Sequence, residues 1–201
     1  MIKVSLTVGR FQPLHKGHTR LINRMCEDFE TVIVGVGSSQ KSREKWDPWT
    51  FEERKQMLKN VYGDRIKIVQ LTDLGTTEGT NDWADYVISK ITKVGLPSPT
   101  DYFTGSMADA RWYVNRFYLK GVSPVPNDNV FSSRPDDIRN FMVDGVFRDL
   151  HIIERSSSNF PPATDIRTFL ELRSNDWKQW VPGVNWNLVE TTFPEQFRVK
   201  G

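Results

Sequence analysis

Two histidines separated by a short glycine-containing spacer are the residues of this chain best suited to chemistry on phosphates. His15 and His18 lie in the stretch Val8–His18, which reads Val-Gly-Arg-Phe-Gln-Pro-Leu-His-Lys-Gly-His. An imidazole donates an N–H to a phosphate oxygen whether the ring is neutral or charged. Such donors stabilise most strongly the charge that develops on a phosphate during displacement. The spacing therefore indicates a site that binds a nucleoside triphosphate and acts on its phosphates.

The flanking sequence places these histidines on a turn between a strand and a helix. Apolar residues alternate over Ile2–Val8, which predicts a strand, and an amphipathic pattern over Gly17–Phe29 predicts a helix. The amino end of a helix carries a partial positive charge and unpaired backbone N–H groups. We therefore expect the backbone of this turn to bind phosphate as well.

Two other interpretations of the histidine pair stay open at this level. The pair is either a hydrogen-bonded structural element or half of a metal site. No Cys, Asp or third His lies near the pair in the sequence, and His151 is the only other histidine. Since a metal site needs more ligands, the phosphate interpretation is favoured.

The first half of the chain alternates between strand and helix patterns. Predicted strands lie at Ile2–Val8, Thr31–Val36, Ile66–Leu71 and Tyr102–Thr104, and predicted helices at Gly17–Phe29, Trp49–Tyr62 and Asp82–Val94. Apolar strands that alternate with helices predict an α/β fold, a Rossmann-like parallel sheet with helices on both faces. Ligands of such sheets bind beyond the carboxyl ends of the strands. The loops beginning at Gly9, Gly37 and Gly105 should converge there.

The second half is less regular. The patterns predict a helix at Ala108–Leu119 and then an insertion at about 124–150. Within the insertion they predict a helix at Asp136–Val143 and a turn at Asp144–Gly145. After it they predict a strand at His151–Ile153, a helix from Ala163 and short Trp-rich helices at the end. No linker or repeat divides the chain. We expect one domain over residues 1–201.

Composition limits the classes of protein that this chain can represent. It has 201 residues, a net charge of +2 and one cysteine, Cys26. The weak charge argues against nucleic acid as a partner, and a single cysteine excludes an internal disulfide. No signal peptide or membrane-spanning apolar run is present, so no membrane partner is expected. We expect a soluble cytoplasmic protein.

The turn resembles the signature of the nucleotidyltransferase superfamily, in the residues Gly9, Arg10, Phe11, Gln12, Pro13, His15, Gly17 and His18. More narrowly, the chain is similar to nicotinamide mononucleotide adenylyltransferases of the archaeal type and to their relatives fused to a Nudix domain. Further blocks that match in order along the chain are Gly37–Gln40, Asp47–Arg54, Asn81–Trp83, Thr104–Ser106 with Asp109–Ala110, Ala163–Arg167 and Asp176–Pro182.

The resemblance implies transfer of AMP from ATP to nicotinamide mononucleotide in NAD biosynthesis, with Mg²⁺ as cofactor. It also implies a homo-oligomer, since members of the family commonly assemble in this way. His15, His18 and Arg167 would be catalytic. ATP would contact Gly9, Arg10, Phe11, Gln12, Gly17, Gly105, Thr164 and Arg167. The mononucleotide would contact Ser38, Arg43, Asn81 and Trp83, whose ring would stack on the nicotinamide. A second interpretation assigns Trp83 to the core and Arg54 to a surface salt bridge.

Departures from the family pattern leave other functions open. Pro162 stands where the family usually has serine, which removes a hydroxyl and an N–H that would face phosphate. Ser157 or Ser158 would have to replace them. Trp46 stands where a basic residue is common, so the mononucleotide phosphate would depend on Lys41, Arg43 or Lys45. Alternatives are an adenylyl- or cytidylyltransferase for phosphopantetheine or glycerol phosphate, and a nucleotide sensor without catalysis.

Overall fold

The structure is a computed structural model that describes residues 3–74, 80–106, 137–143, 146–153 and 160–200, with only the backbone at 80–82, 137–143 and 146–147. The strands are β1 (Val4–Gly9), β2 (Thr31–Val36), β3 (Ile66–Gln70), β4 (Asp101–Thr104), β5 (Asp137–Val143) and β6 (Val146–Ile152). The helices are α1 (Lys16–Asp28), α2 (Phe51–Tyr62), α3 (Thr80–Lys93), α4 (Ala163–Glu171) and α5 (Trp186–Thr192).

These strands form one six-stranded sheet in the order β3-β2-β1-β4-β6-β5. Neighbours from β3 to β6 pair in parallel, whereas β5 pairs antiparallel with β6 at the edge. From β1 the chain adds β2 and then β3 on one side of the sheet, and β4 is then added on the opposite side of β1. This reversal makes the crevice between β1 and β4 the expected ligand site of the sheet.

Helices cover both faces of the sheet, as the sequence predicts. On one face α1, α2, α4 and α5 pack on a core that contains Ile22, Met57, Ile166 and Val189. On the other face α3 packs through Val87 and other apolar residues on a second core. The buried strand β2 contributes to both cores, since Val34 faces one and Ile33 the other. The predicted Rossmann-like α/β class is confirmed.

The predicted helix at Asp136–Val143 is wrong, because residues 137–143 of this segment form the edge strand β5. The pairing Asp137↔Ile152 through Val143↔Val146 with β6 overrides the helical pattern of this segment. Within the region predicted to be an insertion, residues 137–143 and 146–150 thus belong to strands of the same sheet. The helix predicted at Ala108–Leu119 and the turn at Asp144–Gly145 lie outside the described residues.

The helix that begins near Ala163 and the short helices at the end of the chain are confirmed. Trp177 is buried in the core, so this tail tryptophan packs the fold together. Among the described helices, none combines the length and the apolar character that crossing a bilayer requires.

Candidate nucleotide-binding site

Three loops meet at one edge of the sheet, where β1, β2 and β4 end. Gly9 is the last residue of β1, Gly37 follows β2 and Gly105 follows β4. The first two loops are joined directly, because the Gly37 N–H donates to the Gly9 carbonyl over 2.9 Å. Pairing of Thr7 with Phe103 brings the third loop beside the first. The predicted convergence is therefore confirmed.

His15 and His18 together cap the amino end of α1. The Nδ1 atom of His15 accepts from the Gly17 N–H at 3.1 Å, and Nδ1 of His18 accepts from the His15 N–H at 3.4 Å. Because each Nδ1 accepts a hydrogen bond, the proton of each neutral ring must sit on Nε2. Both rings are thus held in the tautomer whose Nε2–H is a donor. The structural interpretation of the pair, which the sequence left open, is confirmed for the two Nδ1 atoms.

The two imidazoles lie against each other over a buried phenylalanine. Their ring centroids are 3.8 Å apart, and the Phe11 ring lies 4.7 Å from that of His18. His15 and Phe11 are buried, whereas His18 is half-buried and so is the more accessible of the pair. The Phe11 side chain therefore supports His18 from inside the protein.

Both glycines of this turn are required by packing against those rings. A Cβ on Gly17 would lie 3.0 Å from Cε1 of His15, and one on Gly9 would lie 3.1 Å from Cζ of Phe11. These distances are shorter than ordinary carbon contacts. The glycines thus allow the rings to lie close to the backbone.

Backbone N–H groups at the start of α1 are already bonded, which corrects one expectation. The N–H of Lys16 donates to the Trp180 carbonyl, that of Gly17 to the His15 ring, and the next two to the His15 carbonyl. The prediction that this backbone binds phosphate is wrong for these groups. The partial positive charge of the helix end still favours an anion.

Gln12 lies in the same turn, but its side chain points into the protein. Its amide donates to the Trp49 carbonyl and accepts from the Trp49 N–H, both over 3.0 Å. Gln12 is 2% exposed. Since both amide atoms are engaged, this residue joins the first loop to the start of α2.

Thr164 lies on the first turn of α4 and Arg167 follows at the start of the second, beside the histidine turn. Nη1 of Arg167 donates to the Gln12 carbonyl at 2.7 Å, and Nη2 donates to the Thr164 hydroxyl at 3.2 Å. Pro162 is the residue before the helix, and no side chain caps its first turn. This leaves the amino end of α4 suited to an anion, with a guanidinium next to it. Ser157 and Ser158 lie outside the described residues.

Arg10 completes a group of cations around one buried carboxylate. Its exposed side chain lies 3.6 Å from Asp47, which is 3% exposed. Burial lowers the pKa of Arg167, and the charge of Arg10 lowers it further, while Asp47 opposes this effect. The two cations, Arg10 and Arg167, repel each other, and Asp47 is the one carboxylate that offsets this repulsion. A second anion bound near the two guanidinium groups would therefore be stabilised.

Arg54 is a structural residue of this site, which corrects the alternative that places it in a surface salt bridge. Instead of forming a surface salt bridge it is 0% exposed, and it donates to the carbonyls of Arg10, Gly37 and Ser38. Burial lowers its pKa to about 10, with a smaller contribution in the same direction from Arg10. The signal in the sequence was its position: it lies on the face of α2 that also carries Met57 and Leu58, both buried.

The second loop is held by Asp73, which follows β3. One oxygen of Asp73 accepts from the Ser38 hydroxyl at 2.9 Å, and the other from Gln40 at 2.9 Å and Lys41 at 3.1 Å. Ser38 itself has a φ of 47°, a strained backbone for a residue with a side chain. The Ser38 hydroxyl and the Lys41 ammonium are therefore bonded within the protein.

We expect Asp73→Asn to lower the melting temperature at pH 7. Burial alone would raise the pKa of Asp73, but the hydrogen bonds from Ser38, Lys41 and Gln40 lower it below its ordinary 3.8. A lowered carboxylate pKa stabilises the fold above the ordinary value, and that stabilisation is lost as the pH falls through the lowered one. Thermal unfolding from pH 7 to pH 3 should show the wild-type advantage shrinking at the acid end.

The control is Asp64→Asn, at an exposed carboxylate that pairs with Lys59 alone. A surface pair of this kind contributes little to stability. Melting of the Asp73 variant at the wild-type temperature at pH 7 would contradict the prediction.

Arg43, predicted to bind the mononucleotide phosphate, is exposed, but its guanidinium is bonded to other residues of the protein. Its guanidinium donates to the Pro48 carbonyl at 3.1 Å and to the Thr192 carbonyl at 2.8 Å, and it pairs with Glu53. These contacts tie the second loop to α2 and to the end of α5. The structure thus gives Arg43 a structural role.

Trp83 lies in α3, half-buried, and packs on the core beneath that helix. Its ring centroid is 5.5 Å from that of Tyr86, whose hydroxyl bonds the backbone N–H and the side chain of Thr72. Trp83 therefore has both a packing contact and an exposed part. Asn81 is described by its backbone only.

A separate cluster of potential metal ligands consists of Asp101, Asp149 and His151. Nε2 of His151 lies 2.9 Å from a carboxylate oxygen of Asp101, and its ring stacks on Phe103 at 4.2 Å. Burial raises the pKa of Asp149, and the nearby charge of Asp101 adds to the effect. Asp101 begins β4, so this cluster starts at the end of that strand opposite Gly105.

Comparison with known proteins identifies the family of this chain. The family described as cytidylyltransferase-like matches residues 6–102. A nicotinamide-nucleotide adenylyltransferase of Thermococcus kodakarensis is 30% identical over 151 residues, which cover 72% of this chain and 75% of the relative. The enzyme of the same name from Methanolobus tindarius is 28% identical over 187 residues, 91% of this chain and 85% of the relative.

A bifunctional NMN adenylyltransferase/ADP ribose pyrophosphatase of Francisella tularensis, complexed with AMP and a manganese ion, has the same fold. It superposes with a TM-score of 0.64 at 21% identity and covers 98% of this chain. This chain spans about half of that protein, 51% of its length. The predicted resemblance to archaeal enzymes is confirmed by the curated relatives: this chain belongs to the nicotinamide-nucleotide adenylyltransferase family.

Proposed function

We propose that this protein transfers the adenylyl group of ATP to nicotinamide mononucleotide, which yields NAD and pyrophosphate. The observation that carries the proposal is the pair of imidazoles at the carboxyl edge of the sheet, each held with its Nε2–H as a donor. Arg167 lies beside them, bonded to the same turn through the Gln12 carbonyl. Membership of the family supplies the identity of the two substrates.

The reaction is a direct in-line displacement. An oxygen of the mononucleotide 5′-phosphate forms a bond to the α-phosphorus of ATP, while the bond from that phosphorus to the oxygen bridging to the β-phosphate breaks. Pyrophosphate leaves with the bonding electron pair, and no covalent intermediate with the protein is needed. His18 is proposed to donate to the α-phosphate and His15 to an adjoining phosphate oxygen. Catalysis then comes from positioning and charge stabilisation.

The β- and γ-phosphates are assigned to the amino end of α4 and the cations near it. Thr164 at the start of the helix donates from one side, while Arg167 and Arg10 supply charge. Gly9, Gly105 and the backbone of the Phe11 turn border this space. Because Pro162 has no N–H, the proposal relies on the guanidinium groups more than on the backbone before the helix.

The acceptor is assigned to the second loop and the start of α3. Trp83 is proposed to stack on the nicotinamide ring, with Asn81 beside it. Ser38 and Arg43 are proposed to shape the phosphate end of this half through the loop that they stabilise. Of the basic residues of that loop, Lys45 remains as an exposed candidate for the 5′-phosphate.

Mg²⁺ is the proposed divalent cation. The carboxylates of the phosphate loops, Asp47 and Asp73, are paired with Arg10 and with Ser38, Gln40 and Lys41. This fits a cation held mainly by phosphate oxygens and water, as Mg²⁺ often is. When bound, it supplies charge neutralisation of the triphosphate. A single domain, a cytoplasmic location and homo-oligomeric assembly remain predictions from the sequence.

An acceptor assay tests the proposed function. Pyrophosphate release is measured with ATP and Mg²⁺ plus nicotinamide mononucleotide, phosphopantetheine or glycerol phosphate, each alone, with NAD identified as the product of the first reaction. We expect turnover with the mononucleotide only. Turnover restricted to phosphopantetheine or glycerol phosphate would refute the acceptor assignment. ATP binding in calorimetry without release from any acceptor would indicate a nucleotide sensor and would refute catalysis.

A further inference from the structure

Residues 43–48 form a small hairpin within the second loop. The Arg43 N–H donates to the Pro48 carbonyl at 3.3 Å, and Glu44 and Asp47 exchange N–H to carbonyl bonds of 3.3 and 3.1 Å. At its base, the Arg43 guanidinium reaches Thr192 and Glu53. The hairpin is thus fastened to the protein, and Lys45 and Trp46 stand at its tip.

Trp46 is 55% exposed, although the residue after it, Asp47, is 3% exposed. The guanidinium carbon of Arg167 lies 5.7 Å from the Trp46 ring centroid, and the Lys45 ammonium lies 5.7 Å from the same centroid. Distances of this size are those of cation–π contacts. An exposed tryptophan beside two cations at a phosphate site needs an explanation other than core packing.

The contact with Trp46 is the third restraint on the Arg167 guanidinium. The other two are its hydrogen bonds to the Gln12 carbonyl and the Thr164 hydroxyl. These come from α4 and the first loop, whereas Trp46 comes from the second loop. A guanidinium has five N–H donors, so two bonds and a ring contact leave donors for phosphate. The ring contact restricts how the guanidinium plane is turned.

We propose that Trp46 is a positioning residue for ATP, which holds the Arg167 guanidinium in orientation toward the triphosphate. The inference rests on the proposed function, since it takes Arg167 as a ligand of the β- and γ-phosphates. Asp47, the buried residue after Trp46, pairs with Arg10 of the first loop. The aromatic face of residue 46 thus links the acceptor loop to the ATP half of the site.

The test compares Trp46→Leu with Trp46→Phe, since leucine lacks the aromatic face and phenylalanine retains one. ATP affinity is measured by calorimetry without acceptor, and KM is measured for each substrate. A cation–π contact at an exposed site is worth about 0.5–1 kcal/mol, or about a two- to fivefold change in affinity. We expect this loss of ATP affinity and the matching rise in KM for ATP in the leucine variant, with KM for the mononucleotide within about twofold of wild type. The phenylalanine variant should retain most of the ATP affinity.

Three results would overturn the role of Trp46: wild-type ATP affinity in the leucine variant, a phenylalanine variant as weak as leucine, or a rise confined to KM for the mononucleotide. Equal melting temperatures of the variants and the wild type would show that a loss of ATP affinity does not come from unfolding. Failure of the proposed function looks different, because wild-type protein would then bind ATP and release no pyrophosphate. The calorimetric comparison would still decide the role of Trp46.

Discussion

Replacing His18 with alanine is expected to lower the turnover of ATP with nicotinamide mononucleotide by about 10²–10³-fold, as loss of one preorganised donor to a developing charge does elsewhere. The Nε2–H of His18 is directed by the hydrogen bond that its Nδ1 accepts from the His15 N–H. Alanine removes both the donor and this cap. The cap accounts for about 1 kcal/mol of stability, so the chain should remain folded. Steady-state pyrophosphate release and a thermal melt measure the two effects.

Two further variants separate the cap from the donor. In His18→Asn, the amide oxygen stands near the place of Nδ1, so the cap is retained without a donor at the Nε2 position. In His18→Gln, the amide nitrogen reaches toward the Nε2 position. We expect asparagine to restore the melting temperature but not turnover, and glutamine to restore part of the turnover. An alanine variant with a rate within tenfold of wild type would refute the assigned role.

Replacing Arg54 with methionine is expected to lower the free energy of unfolding by about 3–5 kcal/mol, because three backbone carbonyls lose their charged donor. The guanidinium donates to the carbonyls of Arg10, Gly37 and Ser38, which lie in two different loops. Methionine fills much of the same space but leaves these carbonyls without a donor, and each unsatisfied buried group costs about 1–3 kcal/mol. Denaturant unfolding measures the loss.

The control for Arg54 is Lys55→Met on the same helix, where the ammonium forms an exposed pair with Glu52. A surface pair of that kind is worth about 0.3–0.5 kcal/mol. Arg54→Lys keeps a charge but not the fork of donors, so we expect an intermediate loss. If Arg54→Met unfolds within about 1 kcal/mol of wild type, the guanidinium does not hold the two loops together.

Patterns within single segments predicted most of the fold. Strand β2 has the predicted bounds, Thr31–Val36, because an uninterrupted apolar run suits a strand covered on both faces. The start of α2 follows from the capping box of Thr50 and Glu53, which the structure contains. The error at Asp137–Val143 has the opposite cause. Its strand conformation comes from pairing with β6, a contact outside the segment.

The roles of individual site residues depended on partners far away in the chain. Gln12 binds the Trp49 backbone, and Arg43 binds the Thr192 carbonyl at the far end of the chain. A side chain that can bind phosphate binds a backbone carbonyl equally well when the fold brings one closer. Sequence patterns show the donor but not the competing acceptor.

The sequence by itself determined the class of fold, the edge where the loops meet and the histidine pair that we propose to bind phosphate. These depend on local periodicity, on helix capping and on the rule that parallel strands end at one edge. Only the tertiary structure decided which donors remain for a ligand. It buried Arg54 between two loops, bonded the first N–H groups of α1 within the protein and placed Trp46 against Arg167. The physical reason is that a donor bonds the acceptor that lies nearest to it. Residues far apart in the sequence come close to one another only when the sheet has formed.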